Sequence, residues 1–204
     1  MTVPSAAGGT LLGRVDAVVI GTSAGGIEAL MVLLPALPKR LVAPVFVVVH
    51  LPRDRPSLLA GLFAARCAVP VREAEDKMPV EPGTVYFAPP DYHLLIDRGP
   101  SLALSADEAV NYSRPSIDVL FETAADRYGS RLAAIVLTGA NADGASGLEA
   151  VKRAGGITIV QNPATASSST MPAEALRRVV ADFVLPLDHI AGMLRTLASS
   201  AAER

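Results

Sequence analysis

The chain has 204 residues, of which half are apolar and 19% are charged, and its formal net charge is −2. This composition indicates a compact globular protein and excludes a disordered one. The small negative charge offers no basic surface for nucleic acid. Because Cys67 is the sole cysteine, an intrachain disulfide and a cysteine-based zinc site are excluded, and a reducing compartment is the simpler expectation.

The sequence contains no recognisable targeting or membrane segment. Residues 1–13 lack the charged and apolar regions of a secretory signal. No apolar run approaches the ~20 residues that a membrane-spanning helix needs. We therefore predict a cytoplasmic protein that is not embedded in a membrane, with a tail over 1–13, a single domain over 14–199 and a second tail over 200–204.

Apolar runs alternate with helical patterns along most of the chain. The runs are continuously apolar, which is typical of parallel strands buried on both faces. This alternation predicts an α/β fold with one doubly wound, mostly parallel sheet flanked by helices. The predicted strands are 16–20, 44–49, 132–137, 157–160 and an edge strand at 183–185. The predicted helices are 25–34, a helix that follows Pro56 and has Leu58 on its apolar face, a helix that begins at Pro115, and 145–153, 172–180 and 187–197.

The region from about 70 to 105 has a different pattern. Short β-type runs at 85–88, 93–96 and 101–104 are separated by turn residues such as Glu81-Pro82-Gly83. Turns at such short intervals predict a short antiparallel β-ribbon region beside the main sheet, without a helix.

Three predicted strands end in residues that can carry chemistry. Ser23 follows the first strand, His50 follows the second, and Asp143 follows the strand at 132–137. In a doubly wound sheet, ligands bind at the carboxyl ends of the strands. A serine, a histidine and a carboxylate at one sheet edge are the parts of a hydrolytic triad, in which His50 takes the Ser23 proton and Asp143 holds the imidazole in the right tautomer.

Each part of this triad also has a simpler interpretation. The spacing Gly21-x-Ser23-x-Gly25 fits a nucleophile elbow, but glycines before a helix also fit a phosphate-binding loop. A lone histidine is more often structural, and an aspartate before a glycine is often a turn or cap residue. The other histidines are weaker candidates, since His93 lies in the ribbon region and His189 lies near the start of the last helix. Only the joint placement at strand ends favours the triad.

A series of motifs follows one another from about residue 14 to residue 197. In chain order they are Ile20-Gly21-Thr22-Ser23-Ala24-Gly25-Gly26, Val48-Val49-His50-Leu51-Pro52, Glu73-Ala74-Glu75-Asp76, Tyr86-Phe87-Ala88-Pro89-Pro90-Asp91-Tyr92-His93, Arg114-Pro115-Ser116-Ile117-Asp118-Val119-Leu120-Phe121, Leu137-Thr138-Gly139 through Asp143-Gly144, Gln161-Asn162-Pro163-Ala164-Thr165 and Met171-Pro172. As an ordered set, these motifs resemble the catalytic domain of the CheB-type chemotaxis protein-glutamate methylesterases.

The resemblance implies a function. By position within the motifs, the catalytic residues of that family fall on Ser23, His50 and Asp143. The implied reaction is hydrolysis of glutamate γ-methyl esters on the cytoplasmic helices of methylated chemoreceptors, with release of methanol, and some members also deamidate receptor glutamines. It requires no metal or organic cofactor. Family members usually carry a receiver domain; we expect none in this chain, which makes a separate regulatory protein a candidate partner.

Three further residues are candidates for substrate binding. The backbone N–H groups of Ala24 and Ala140 are candidate oxyanion donors. Arg114 is a candidate for gripping an acidic receptor helix, with ordinary surface or cap duty as its alternative. The loop Ala140-Asn141-Ala142 departs from the family pattern, which has methionine after the glycine and asparagine before the aspartate.

Two other functions stand as alternatives to the esterase. The first is a catalytically weak or inactive receptor-binding or regulatory module of the same fold. The second, more distant one is a nucleotide-dependent oxidoreductase, which would need the glycine-rich loop to hold a pyrophosphate. That loop lacks the spacing of a dinucleotide fingerprint, and the second strand ends in His50 where a ribose-binding acid is expected.

Overall fold

A computed structural model of the chain describes residues 15–52 and 55–197. The predicted tails at 1–13 and 200–204 lie outside the described residues, and so do the first residue and the last two residues of the predicted domain. Within the two described ranges, no helix is both long enough and apolar enough to cross a membrane.

Seven parallel strands form the central sheet. In chain order, the strands found in the described residues are β1 (Ala17–Thr22), β2 (Val45–Val49), β3 (Val71–Glu73), β4 (Val85–Phe87), β5 (His93–Ile96), β6 (Leu102–Ser105), β7 (Leu132–Val136), β8 (Ile157–Gln161) and β9 (Phe183–Leu185). The sheet has the spatial order β3-β4-β2-β1-β7-β8-β9, and all its neighbouring pairs are parallel. The predicted doubly wound α/β fold is confirmed.

Helices cover both faces of this sheet. They are α1 (Gly26–Leu33), α2 (Leu59–Ala64), α3 (Ile117–Tyr128), α4 (Ala145–Arg153), α5 (Thr170–Arg178) and α6 (Leu187–Leu194). Because successive side chains of a strand point to opposite faces, Val18 and Ile20 of β1 pack with α1, α2 and α6, whereas Ala17 and Val19 pack with α3, α4 and α5. Burial on both faces explains why the strands are continuously apolar.

The strand order of the sheet reverses at β1. From this central strand the sheet extends through β2, β4 and β3 on one side and through β7, β8 and β9 on the other. The carboxyl ends of β2, β1 and β7 lie side by side, because the His50 N–H donates to the Thr22 carbonyl at 3.3 Å and the Leu137 N–H donates to the Gly21 carbonyl at 2.9 Å. A crevice at such a reversal is the usual ligand site of a doubly wound sheet.

The prediction for residues 70–105 is correct for one hairpin and wrong for the rest of the region. β5 and β6 form the expected antiparallel pair. By contrast, β4, which the turn residues assign to the ribbon, pairs in parallel with β2 and β3 and is buried throughout. A parallel crossover usually runs through a helix, but here β3 joins β4 through the non-helical residues 74–84. The sequence between β3 and β4 therefore contains turn residues and no helical pattern, so nothing in it indicates a parallel crossover.

Two helices begin later than predicted. Leu58 is 81% exposed rather than packed on the core, because α2 begins at Leu59, whose N–H donates to the Ser57 hydroxyl at 3.2 Å. α3 begins at Ile117 rather than at Pro115, because Ser116 is extended, with φ −104° and ψ 139°. The Ser116 side chain does not cap its own helix.

Candidate active site

Ser23 lies in the tight turn between β1 and α1. Its N–H donates to the Thr138 carbonyl at 3.0 Å, and the residue is half-buried. The backbone reverses at Gly25, which has φ 75° in the left-handed region that favours glycine. A Cβ at Gly25 would lie 2.7 Å from the Cβ of Ser167. The predicted strand, turn and helix around Ser23 are thus confirmed, and the left-handed residue of the turn is the glycine rather than the serine.

His50 and Asp143 are in direct contact. His50 Nε2 lies 2.8 Å from Asp143 Oδ2, and their side chains are 13% and 0% exposed. An ionised carboxylate can only accept hydrogen bonds, so Nε2 carries the hydrogen and Nδ1 carries the lone pair. This is the tautomer that a histidine needs in order to act as a general base through Nδ1.

The Asp143 carboxylate also caps the start of α3. Besides His50 it has four donors, which are the Ile117 N–H (2.7 Å), the Ser116 hydroxyl (2.8 Å), the Asp118 N–H (3.2 Å) and the Asn111 side-chain amide (3.3 Å). The first N–H groups of a helix lack partners within the helix, and the positive end of its dipole stabilises a nearby anion. Asp143 therefore satisfies helix donors that the chain before α3 leaves unpaired.

Two neighbouring carboxyl groups have opposite pKa shifts. Burial acts to raise the pKa of Asp143, but the hydrogen bonds from His50 and the Ile117 N–H outweigh it and hold this pKa below its usual value. The pKa of Asp118 is raised to about 6 by burial, and the charge of Asp143 adds to this against the lowering effect of the Gly147 N–H. Asp143 is therefore already ionised at the acidic pH values at which Asp118 is still protonated.

The second ring nitrogen of His50 faces polar side chains. Nδ1 lies 3.4 Å from Asn141 Nδ2 and 3.5 Å from the Ser113 hydroxyl, both at the outer limit of hydrogen bonding. Among the described residues, no hydrogen bond joins the Ser23 hydroxyl to His50. Catalytic hydrogen bonds are often long before a substrate binds, so this geometry is compatible with later transfer of the Ser23 proton.

Thr138 ties the turn at Ser23 to two other loops. Its hydroxyl donates to the Ala24 carbonyl at 2.8 Å and accepts from the Ser168 N–H at 2.8 Å, while its own N–H donates to Gln161 Oε1 at 2.9 Å. Ala24 and Ala140 are exposed, and within the described part of the chain their N–H groups have no hydrogen-bond partner. Both predicted oxyanion donors thus lie on exposed residues and are not used by a hydrogen bond within the described fold.

Arg114 holds the segment 106–113 next to the site. Its Nε and Nη2 donate to Asp91 Oδ1 at 3.0 and 2.7 Å, and its Nη1 donates to the carbonyls of Ala106 and Asp107 at 2.6 and 2.9 Å. The tip of this segment carries Asn111 and Ser113, which contact Asp143 and His50. Arg114 therefore has a structural role. It binds Asp91 and two backbone carbonyls, and it does not cap α3.

The other two histidines lie outside the contact with Asp143. His93 is buried; its Nδ1 accepts from the Ser116 N–H at 3.1 Å, so its Nε2 donates to the Glu108 carbonyl at 3.0 Å. His189 is exposed beside Asp188 on α6. Across the described ranges, no group of three or more His, Cys, Asp and Glu side chains is arranged to hold a metal ion.

The sequence does not predict the polar side chains that surround His50 and Asp143. Asn111 and Ser113 precede the helix predicted from Pro115, and Ser116 lies in its first turn, so no pattern in the sequence marks them as partners of the site. Ser116 directly precedes α3, at a position where a serine normally caps the helix that follows. This pattern predicts the wrong partner, because the Ser116 hydroxyl donates to Asp143 instead.

Comparisons with known proteins match the chain to one family. A family model described as CheB methylesterase matches residues 18–194. A protein of Leptospira interrogans serogroup Icterohaemorrhagiae serovar copenhageni, named as a candidate protein-glutamate methylesterase/protein-glutamine glutaminase, is 42% identical over 189 residues, which cover 93% of this chain and 98% of that protein. Protein-glutamate methylesterase/protein-glutamine glutaminase 2 of Methanosarcina mazei is 40% identical over 179 residues, which cover 84% of this chain and 49% of that protein.

A solved structure gives the same result in three dimensions. The crystal structure of the Thermotoga maritima CheB methylesterase catalytic domain superposes with a TM-score of 0.86 at 36% sequence identity, and the match covers 90% of this chain and 99% of that one. The family model spans almost the entire described fold, from β1 to the end of α6. The chain therefore belongs to the CheB methylesterase family.

Proposed function

We propose that the chain hydrolyses glutamate γ-methyl esters on chemoreceptors, with Ser23 as the nucleophile. The observation that carries the proposal is the 2.8 Å hydrogen bond between His50 Nε2 and Asp143 Oδ2, at a strand end adjacent to that of Ser23. It leaves His50 Nδ1 as the basic nitrogen. The names of the Leptospira and Methanosarcina relatives supply the glutamate methyl ester as the substrate group, and the family resemblance supplies the chemoreceptors that carry it.

The first half of the reaction transfers the glutamyl group to the enzyme. His50 Nδ1 takes the proton of the Ser23 hydroxyl as Oγ bonds to the ester carbonyl carbon. The tetrahedral intermediate then expels methoxide, which leaves as methanol with the proton from Nδ1. Asp143 stays ionised and holds the imidazole by its Nε2 hydrogen.

The second half regenerates the serine. His50 Nδ1 removes a proton from water, whose oxygen attacks the acyl carbon. The bond to Ser23 breaks, and Oγ regains the proton. Ester and water are consumed, and a receptor glutamate and methanol are formed. A γ-carboxamide attacked in the same way would give glutamate and ammonia.

Two backbone donors would stabilise the oxyanion in both halves. Ala24 and Ala140 are exposed residues, and their N–H groups have no partner among the described residues. Removal of one oxyanion donor typically lowers kcat by ~100–1,000-fold. Backbone donors do not depend on the side chain at position 140, so the alanine there is compatible with the reaction.

Three further expectations remain predictions. Receptor contact by Arg114 is one, although its bonds to Asp91 and to two carbonyls favour the structural alternative. Control by a separate regulatory protein is the second. Cytoplasmic location is the third.

The test is release of methanol and ammonia from methylated and amidated receptors. Ser23→Ala is expected to lower methanol release by at least ~1,000-fold. Ser130→Ala is the matched control, because Ser130 is exposed at the amino end of β7, away from the site, and should have no effect. Undiminished release by Ser23→Ala would reject the nucleophile. Receptor binding without methanol release by the unmodified chain would support the non-catalytic binding module instead.

A further inference from the structure

Two side chains outside the proposed triad lie against the basic nitrogen of His50. Asn141 Nδ2 is 3.4 Å and Ser113 Oγ is 3.5 Å from His50 Nδ1. These two side chains also contact each other, because Asn141 Nδ2 donates to Ser113 Oγ at 3.3 Å. The groups thus form a polar triangle at the atom that must gain and lose a proton.

The orientation of the Asn141 amide follows from its other contact. The Asp143 N–H donates to Asn141 Oδ1 at 3.3 Å, so the carbonyl end of the amide is turned towards that donor and the NH2 end faces His50. An NH2 group is a donor only. It stabilises a neutral imidazole with its lone pair at Nδ1, and it opposes the imidazolium, whose Nδ1 hydrogen would point at the amide hydrogens.

Ser113 can serve both protonation states of His50. A hydroxyl carries one hydrogen and two lone pairs, and it rotates to suit its neighbours. When His50 is neutral, the Ser113 hydroxyl can donate to Nδ1. When His50 is protonated, Ser113 Oγ can accept from Nδ1 while its own hydrogen turns to the Asn111 carbonyl, 3.4 Å away.

We propose that Ser113 and Asn141 are positioning residues that set the proton affinity of His50 in opposite directions. Ser113 gives the imidazolium an acceptor and raises the proton affinity, whereas Asn141 presents a donor and lowers it. Bonds to a charged partner are the stronger ones, so the acceptor role of Ser113 outweighs its donor role. The proposal rests on the proposed function only in taking His50 as the general base.

Neither substitution removes the other groups that surround His50. Asp143 is the charged group in contact at Nε2, and Asp118 lies behind it, joined through the Asn111 amide, which bonds Asp118 Oδ2 at 2.9 Å and Asp143 Oδ1 at 3.3 Å. Ser23 lies at the adjacent strand end. A comparison between variants therefore isolates Ser113 and Asn141.

The test is an NMR titration of the His50 imidazole in the full chain. Its signals are distinguished from those of His93 and His189 by their loss in His50→Gln. Ser113→Ala is expected to lower the titration midpoint by about half a pH unit, and Asn141→Ala to raise it by a similar amount, since the contacts are long and the charged state is involved. Each shift corresponds to a roughly threefold change in proton affinity.

Asn141→Ser keeps the proposal testable if Asn141→Ala does not fold. A serine can still accept the Asp143 N–H in a local turn, while the amide donors are gone. It should raise the midpoint as well. Ser130→Ala is the control and should leave the midpoint unchanged.

The titration decides the proposal without requiring turnover. A lower midpoint in Ser113→Ala together with a higher midpoint in Asn141→Ala supports it, and the acid limb of kcat/KM for methanol release should then move in the same directions; the reversed pair of shifts overturns it. Midpoints that stay within about 0.1 pH unit of the unmodified chain, or that move in the same direction, overturn it. Failure of methanol release with opposite midpoint shifts would reject the esterase but not the role of Ser113 and Asn141.

Discussion

The carboxylate end and the serine end of the site are built in different ways. Asp143 is fully buried and has five hydrogen-bond donors, all supplied by the protein. Ser23 is half-buried, and beside it the Ala24 and Ala140 N–H groups have no partner in the described part of the chain. The difference shows that the protein itself holds His50 in place through Asp143, whereas it leaves these two N–H groups beside Ser23 without partners. Under the proposed function, a substrate would complete their interactions.

The largest effect is expected from breaking the carboxylate end. Asp143→Asn should lower kcat for methanol release by about 10⁴-fold, because an amide cannot hold His50 in the required tautomer. It should also lower the free energy of unfolding by about 1–3 kcal/mol, because its NH2 group would face donors that need an acceptor. Methanol release and urea denaturation measure the two effects. Asp188→Asn is the control, since Asp188 is 76% exposed on α6. Full stability of Asp143→Asn would contradict the capping role.

A smaller loss is expected from displacing the serine end. Gly25→Ala places a Cβ in the left-handed region and 2.7 Å from the Ser167 Cβ, so the turn at Ser23 must shift. Displacement by about 1 Å can lower the rate by roughly 10–100-fold, and the strain itself costs about 1–2 kcal/mol. Gly61→Ala is the control, because nothing lies within 4 Å of its added Cβ in α2. If kcat were unchanged, the turn would not position the nucleophile.

The contributions of Asp118 and Asp143 to stability can be distinguished by their opposite dependence on pH. The pKa of Asp118 is raised to about 6 from 3.8, so the unfolded chain ionises this group first and the native state loses stability as the pH rises from about 4 through 6. This loss is about 1–3 kcal/mol and is complete above pH ~7. The lowered pKa of Asp143 has the opposite sign, and its stabilisation is lost only as the pH falls below about 4.

Asp118→Asn should therefore flatten the pH dependence between about 4.5 and 7.5. Denaturation of both proteins across this range measures the effect. Asp97→Asn, at an exposed site, should retain the slope of the unmodified chain. An equal slope in Asp118→Asn would show that another group titrates in this window.

The smallest effect is expected at Arg114, which supports the segment 106–113 from outside. Arg114→Ala should lower kcat by roughly two- to tenfold with little change in KM for receptor, because the segment that carries Asn111 and Ser113 loses its anchor. Steady-state kinetics with a methylated receptor separates the two constants. Arg72→Ala, which removes an exposed ion pair with Glu81, is the control. A rise in KM alone would instead support receptor contact by Arg114.

Most of the fold was predictable because the central strands are buried on both faces. Continuous apolar runs followed by helical patterns identified β1, β2, β7 and β8 and their order along the chain. The position of the short strand β4 in the sheet was not predictable. Its crossover runs through a loop, and the turn residues of that loop are the same as those of a hairpin. Local patterns do not report which distant strand a short segment joins.

The part of the site that follows directly after the strands was predictable. Ser23, His50 and Asp143 follow strands, and the topology alone brings them to one edge. The partners of these residues come from α3 and the segment 106–113, whose approach depends on tertiary packing. Asn111 illustrates the limit, since a loop asparagine gives no indication that its amide will bridge two buried carboxylates.

Capping of α3 by Asp143 changes what can be concluded from the aspartate itself. A protein of this fold that had lost its activity would still need an acceptor there to satisfy the start of the helix. By contrast, no hydrogen bond in the described fold uses the Ser23 hydroxyl. In comparisons among relatives, an aspartate at this position thus indicates an intact fold. If Ser23 is the nucleophile, as proposed, then a serine at position 23 is the residue that distinguishes an active esterase from an inactive relative.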